Sequence, residues 1–442
     1  MLGVIGLLLA ITILIIGAYK GLEAIPLTLL SAFVVIITSG LPIWDTYASV
    51  YATGFSGTFQ SYFFIFVASA VYAVIMESTG CTISIGYKLM DWFGRDKVVL
   101  VIAIFVALLT YGGVSSFVII FATVPIIYLL LKEADLPRRL VPGLLFMGSA
   151  CATMTTFPGT PQLPNVIPTQ YLGTTMTAAP VLSIIAGIVF FLANYIFMKH
   201  YANQVKLRGE HWSFPEGYDV SLYEEQDRSA LPSAGGAFAP IVVLLSIILG
   251  CSLAKLSIAS NASMLTTIAM LAGSVVCYVL NKKHLKTSLK DLVGKAATKG
   301  VSAMVALAAI VGFGTVVSSS AAFQDIVNWL IGVNMSPYWK GVFATSVISG
   351  ITASSSAGVR LVLQNMADYF IASGCDLSIL HRLMAIASGS LDSLPHTTGM
   401  FLIVSYLGLK HKESYYPVFI VSVVTPLILV ILLTATVTLL GI

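Results

Sequence analysis

Apolar residues in this chain run in long stretches rather than in alternation, and short polar breaks separate the stretches from Leu2 to Gly441. A helix needs about 20 mostly apolar residues to cross hydrocarbon, so the pattern predicts an all-α, polytopic membrane protein. A β-barrel would show alternating segments of about ten residues instead. Spans are expected near 2–19, 24–43, 58–80, 98–131 in two short legs, 140–171 interrupted, 179–198, 237–254, 264–281, 300–320, 341–373 again in two legs, 379–409 interrupted, and 416–441. The first run starts at Met1 with no basic segment ahead of it and no small-residue cleavage site behind it. It reads as a retained helix rather than a signal peptide.

The longest polar stretch, about 200–236, carries Glu210, Glu216, Asp219, Glu224, Glu225 and Asp227 and reads as a cytoplasmic linker. The same order of elements occurs on each side of it. Residues 1–199 hold plain spans, a two-legged segment (about 98–131) with the tip Gly112-Gly113-Val114-Ser115-Ser116, and a span (about 140–171) broken at Pro158-Gly159-Thr160-Pro161-Gln162-Leu163-Pro164-Asn165. Residues 237–442 repeat this with the tip Thr352-Ala353-Ser354-Ser355-Ser356-Ala357-Gly358 (about 341–373) and a break at Asp392-Ser393-Leu394-Pro395-His396 (about 379–409). Ser115 and Pro161 are 46 positions apart, and Ser355 and Pro395 are 40 apart. Legs of about 15 residues are too short to cross alone, so each two-legged segment is expected to be a re-entrant hairpin. Two units of opposite orientation, each with a discontinuous helix, are the pattern of transporters built from inverted repeats, whose site lies where the breaks meet.

Composition agrees with lipid as solvent: 57% of residues are hydrophobic and 10% are charged, far from the balance of a soluble domain. The net charge of +4 carries no sign of nucleic-acid binding, because the basic residues sit in short loops. With the N-terminus outside, Lys20, Lys88–Lys97, Lys132–Arg139, Lys199–Arg208, Arg228, Lys282–Lys299 and Lys410–Lys412 all collect on the inner side. Only Lys255, Lys340, Arg360 and Arg382 remain for the outside or the core. This asymmetry places both termini on the extracytoplasmic side of a cell inner membrane. Five scattered cysteines (Cys81, Cys151, Cys251, Cys277, Cys375) suggest neither a disulfide framework nor a metal site.

The breaks carry the chemistry. Backbone released from a helix at membrane depth is tolerated where protein or a water-filled cavity satisfies it, so these segments should line a cavity. Half-helix N-termini offer free N–H groups and a positive dipole end to a carboxylate, and hydroxyls of Ser115, Ser116, Thr160, Ser354, Ser355 and Ser356 add donors. Gly159 and Asn165, in the same first break, are assigned to substrate binding with them. The alternative role for such small residues is close helix packing. Arg360 can clamp a carboxylate in a two-pronged contact or reach out to the surface. Asp392 and His396 are ionisable groups within the second break, functional by default at that depth, and both types can titrate near neutral pH when suitably placed. They are the candidates for proton coupling, the alternative being a brace for the unwound backbone. Glu77 and Asp368 sit near span ends and read as interfacial.

The runs Leu109-Thr110-Tyr111-Gly112-Gly113-Val114-Ser115-Ser116-Phe117-Val118, Phe157-Pro158-Gly159-Thr160-Pro161-Gln162, Ala387-Ser388-Gly389-Ser390-Leu391-Asp392-Ser393-Leu394-Pro395-His396 and His411-Lys412-Glu413-Ser414-Tyr415 resemble the gluconate:proton symporter (GntP) family of bacterial permeases. The likeness covers nearly the whole chain and is greatest to the branch for hydroxybutyrate-like and citrate-like acids. Through that family the chain resembles the ion transporter superfamily, whose sodium-coupled dicarboxylate carriers have opposed hairpins and work as homodimers by an elevator motion. The Ser-Asn-Thr of those hairpin tips is replaced here by Val-Ser-Ser and Ser-Ser-Ser, so their sodium sites do not carry over residue by residue.

The expected activity is therefore proton-coupled symport of a small organic anion, a gluconate-, hydroxybutyrate- or citrate-like carboxylate, with no cofactor, metal or catalytic residue. Sodium-coupled symport and organic-anion exchange are the alternatives within the class, and an anion channel is the alternative outside it. An intramembrane hydrolase using Ser393, Asp392 and His396 has little behind it, since three residues within five positions on a proline-broken segment give no reason to expect nucleophile and base to be oriented. No Gly-x-x-x-x-Gly-Lys-Ser/Thr loop is present to drive an ATP-powered pump.

Overall fold

A computed structural model describes residues 2–111, 114, 116–160, 162–215, 230–254, 256–285 and 287–441. Every regular element among them is helical. In chain order the helices are α1 (Leu2–Tyr19), α2 (Ala24–Thr38), α3 (Ile43–Ser78), α4 (Cys81–Phe93), α5 (Val98–Tyr111), α6 (Ser116–Glu133), α7 (Val141–Phe146), α8 (Leu163–Leu172), α9 (Pro180–Leu207), α10 (Ala234–Leu253), α11 (Ala262–Asn281), α12 (Leu289–Ser319), α13 (Ala321–Gly332), α14 (Pro337–Thr352), α15 (Ser355–Ala372), α16 (Leu377–Ser388), α17 (Thr398–Leu407) and α18 (His411–Leu440). Seven stretches are long and apolar enough to cross a membrane: α1, α3, α9, α12 and α18, with the 18 residues Ala234–Cys251 of α10 and Ser263–His284, which takes in nearly all of α11.

Hairpin, helix, break, helix, span: this order occurs twice. α5 and α6 are two legs on either side of residues 112–115. The chain then passes through α7 and a wide-turned π stretch (Met147–Thr156), irregular backbone at 157–160 and 162, the ten-residue α8, and α9. α14 and α15 are the second pair of legs, followed by α16, a break at 389–397, the ten-residue α17, and α18. Each helix stops for a local reason. Glycine in the left-handed region follows α8 (Gly173, φ 64°) and α17 (Gly408, φ 59°), the conformation that ends helices without side-chain cost.

The chain divides into two compact units that cut across the sequence halves. One comprises residues 1–60, 150–194 and 305–442, and the other 61–149 and 195–304. In the first, α1 packs on α2, and α14, α15, α16 and α8 pack on one another around a core that includes Ile348, Val359, Leu363, Phe370, Leu380 and Met384. In the second, α10 pairs with α11 and α4 packs against α6. Cys81 and Cys277 are free buried thiols there, with sulfurs 3.7 Å apart.

Candidate functional site

The second hairpin is held very tightly at its tip. α14 ends in Ala353, a non-glycine residue at φ 55°, a conformation that costs about 1–3 kcal/mol and that surrounding structure must impose. Ser354 then caps α15: its backbone N–H donates to Ser349 O (3.1 Å), and its Oγ accepts from Ala357 N (3.3 Å) and lies 3.3 Å from Ser356 Oγ. Gly358 lets the two legs touch, because a Cβ there would stand 1.9 Å from Ser349 Oγ and 2.7 Å from Ser349 Cα. The tip thus presents Ser354, Ser355 and Ser356 on the first turn of an 18-residue helix, its positive dipole end.

The first leg of this hairpin is stitched to the second break. Ser390 Oγ donates to Ser346 Oγ (3.0 Å), Ser346 Oγ donates to Ala387 O (3.2 Å), and His396 Nε2–H donates to Gly350 O (2.9 Å). Gly350 also lies against Leu391, with space for a Cβ only at 3.0 Å from Leu391 Cβ. The released carbonyls of the break find side-chain partners on α18. Tyr415 Oη–H donates to Ser393 O at 3.1 Å, and His411 lies against the Pro395 carbonyl. The backbone of Thr397 takes Leu394 O (2.9 Å). Asp392 is half-buried; it accepts from Ser393 Oγ at 2.9 Å and interacts with the Ser355 hydroxyl of the tip. A carboxyl group and a ring of hydroxyls therefore meet where a hairpin tip faces unwound backbone.

The first break has its own internal order. Gly159 (φ 82°) donates its N–H to Met176 O at 2.9 Å. The Asn165 amide nitrogen donates to Thr160 O (2.8 Å) and Met176 O (2.9 Å), and its oxygen accepts from His381 Nε2 at 3.2 Å. With that oxygen accepting only, Nε2 of His381 carries a proton, and Nδ1 lies 2.7 Å from the Thr174 hydroxyl. Next to it Arg382, fully buried, donates to Thr155 O, Met176 O and Ala178 O at 3.1, 3.3 and 3.4 Å. α16, the helix that leads into the second break, is in this way riveted to the segment around the first. Gly389, at its end, fits against Thr155 with room for a Cβ only at 3.0 Å.

The structure brings Ser354, Ser355, Ser356, Asp392 and His396 into one cluster, and Gly159, Thr160 and Asn165 into a second that adjoins α16. Both lie in the first compact unit. Thr160 is fully buried, and among the described residues its hydroxyl has no hydrogen-bond partner, nor have the Thr397 hydroxyl and His396 Nδ1. Asn165 differs from expectation: its amide is spent on protein contacts and braces the break. Arg360 stands exposed on α15. Ser115 lies outside the described residues, as does the side chain of Ser116, which opens α6. Sequence reasoning gave no site role to His381, Arg382, His411 or Tyr415. The available signal was an Arg and a His side by side in the short apolar run Leu377–Ser388.

A family model for GntP family permeases matches residues 2–439. The chain belongs to the GntP permease family. A curated relative, the uncharacterized transporter YxjC of Bacillus subtilis (strain 168), is 26% identical over 450 residues, covering 95% of each chain. The solved structure of the Alcanivorax borkumensis YdaH transporter, described as having an unusual topology, aligns with 98% of each chain at 13% identity and a TM-score of 0.46, a likeness that carries no argument by itself. This GntP permease is thus a multi-pass membrane transporter rather than an enzyme.

Proposed function

We propose that this permease is a secondary active carrier that moves a small organic anion, a gluconate-, hydroxybutyrate- or citrate-like carboxylate, together with a proton across the bacterial inner membrane. The observation that carries this reading is the meeting of the Ser354–Ser356 tip with Asp392 and His396 at unwound backbone. Hydroxyls and helix N-terminal amides suit a carboxylate without a dedicated cation at the tip. Asp392 beside them opposes a second negative charge unless a proton is taken up. His396 offers the other proton position: Nε2 is committed to Gly350 O, so Nδ1 is the basic atom, and it is buried and, among the described residues, unpartnered.

A carrier couples two fluxes when proton and substrate favour the same loaded state. Protonation of Asp392 or of His396 Nδ1 removes a repulsion or adds an attraction for the substrate carboxylate, and the bound anion in turn stabilises the proton. The twofold order of hairpin and broken helix supports an inverted-repeat carrier of the ion transporter superfamily type, working by an elevator motion as a homodimer with both termini extracytoplasmic. Proteoliposome uptake of a panel of labelled hydroxy- and dicarboxylic acids, with proton and sodium gradients imposed separately, tests the reading. Saturable, proton-driven accumulation of one or a few acids is expected. Uptake that follows sodium alone, or that never exceeds equilibration, would overturn it.

A further inference from the structure

Arg382 is a cation without an anion. It is fully buried, and among the described residues the ion pairs join Arg95 to Glu133, Arg139 to Glu210 and His211 to Asp135, none involving Arg382. Its partners are neutral backbone oxygens, all in irregular or terminal backbone. Thr155 O belongs to the last turn of the π stretch before the first break, and Met176 O and Ala178 O belong to the non-helical segment between α8 and α9. Met176 O is the focus of this arrangement, accepting from Gly159 N and Asn165 Nδ2 as well as from Arg382.

Unwound carbonyls and the C-terminal ends of half-helices are where carriers built from broken helices coordinate a sodium ion. The helix end is the negative end of the dipole, and oxygen ligands suit hard cations. Here the same kind of carbonyl cluster is filled by a side chain that is always charged. A direct role in gripping substrate does not fit, because Arg382 has no exposed surface and both Nη atoms are committed to carbonyls.

We propose that Arg382 is a built-in cation that permanently holds the carbonyl cluster of the first break, in place of a coupling sodium ion, so that the permease keeps this break ordered and works without sodium. Its guanidinium supplies the positive charge, the fork of donors matches the spread of three carbonyls, and His381 beside it fixes Asn165 so that the Met176 oxygen stays in place. The proposal deepens the carrier reading at the same site and rests on it for the statement about transport. The structural part stands alone.

The test uses the full-length permease, purified in detergent and reconstituted, in sodium chloride, choline chloride or guanidinium chloride at equal, low millimolar ionic strength. For the wild type, melting temperature and uptake should be the same in sodium and choline. Arg382→Ala should melt lower in choline and be raised by sodium or by guanidinium, which refill the vacated cluster; its uptake should fall at least tenfold in choline and recover in part with either cation. Arg382→Lys, which keeps the charge on a different head, should show no sodium-specific rise in melting, and this comparison decides the matter if the alanine variant fails to fold. A wild type stabilised by sodium over choline, or an alanine variant indifferent to both cations, overturns the proposal. The melting comparison needs no substrate. Failure to find a transported acid would therefore sink the functional reading while leaving the cation-replacement claim still decided by its own data.

Discussion

Gly358→Ala isolates the approach that holds the second hairpin together. A Cβ at this position would lie 2.7 Å from Ser349 Cα, 2.8 Å from its Cβ and 1.9 Å from its Oγ. The hydroxyl can rotate away, but the backbone carbon cannot. Carbon atoms normally approach to about 3.5–4.0 Å, so the legs α14 and α15 must part by roughly 1 Å. In an exposed helix the same substitution would stabilise by about 0.5–1 kcal/mol; overpacking of a tight core costs about 1–3 kcal/mol. The expected sign is therefore reversed, with a net loss on the order of 2 kcal/mol and a displaced Ser354–Ser356 tip. Thermal melting in detergent and uptake kinetics in proteoliposomes report the two effects, a lower melting temperature and a weakened apparent affinity. Adding Ser349→Gly takes away the clashing side chain of residue 349 but leaves its backbone in the way and introduces a helix glycine, so recovery should be partial. A Gly358→Ala variant with wild-type melting and uptake would refute the argument that this glycine sets the hairpin's closeness.

Asp392→Asn and His396→Gln should each spare substrate counterflow while weakening or abolishing gradient-driven accumulation. If both variants still accumulate substrate under a proton gradient with wild-type pH dependence, these residues only brace the break. Alanine at Thr160, Ser354, Ser355 or Ser356 should raise the apparent KM about 10-fold to 150-fold where the hydroxyl binds the anion, since a hydrogen bond to a charged group contributes about 1.5–3 kcal/mol; unchanged kinetics at all four positions would remove the hydroxyls from the site. Outside the membrane-spanning helices, the His211 side chain (2.7 Å) and the Trp212 N–H hold the Asp135 carboxyl below its ordinary value of 3.8. A depressed carboxylate stabilises the fold above its unfolded value and loses that contribution as pH falls through the lower folded value, so the melting difference between wild type and Asp135→Asn should disappear as pH falls below the carboxylate range. A difference that persists at a pH where the carboxyl is protonated would contradict the pairing.

Helices α5, α6, α14 and α15 fall where hydropathy expects short legs, and non-helical backbone at 157–160 and 389–397 falls where it expects interruptions, because Gly, Pro and Ser clusters interrupt otherwise continuous apolar runs. The predicted interruption near 379–409 is the gap between Ser388 and Thr398, and the predicted tip near Ser354 is the cap of α15. The amphipathic helices Cys81–Phe93 and Ala321–Gly332 escaped, since a helix buried on one face has too few apolar residues to register as a span. Of the basic residues that charge counting left over, Lys340 packs its ammonium 4.4 Å over the Tyr369 ring, Arg360 is exposed, and Arg382 is buried among carbonyls. Nothing in the one-dimensional pattern separates these three fates. They depend on which backbone oxygens a second, distant segment delivers, as Met176 and Ala178 do for Arg382 across more than 200 positions. His411 and Tyr415 were legible as a motif but not as caps, because the carbonyls they meet belong to a break that precedes them in the chain.

The steady-state accumulation ratio under a known proton gradient tests the central claim most directly. Proteoliposomes carrying the permease, sodium-free and clamped at zero membrane potential, would be given a labelled acid that the panel has shown to be transported, with the outside one pH unit more acidic. One unit corresponds to about 1.4 kcal/mol, so one-to-one symport of a monoanion with a proton predicts an inside-to-outside ratio of the transported anion that approaches about ten. The ratio should collapse to one when a protonophore dissipates the gradient. A ratio that stays at one while the label still equilibrates through the permease, or that rises only when a sodium gradient is supplied, would contradict proton-coupled carriage of an organic anion.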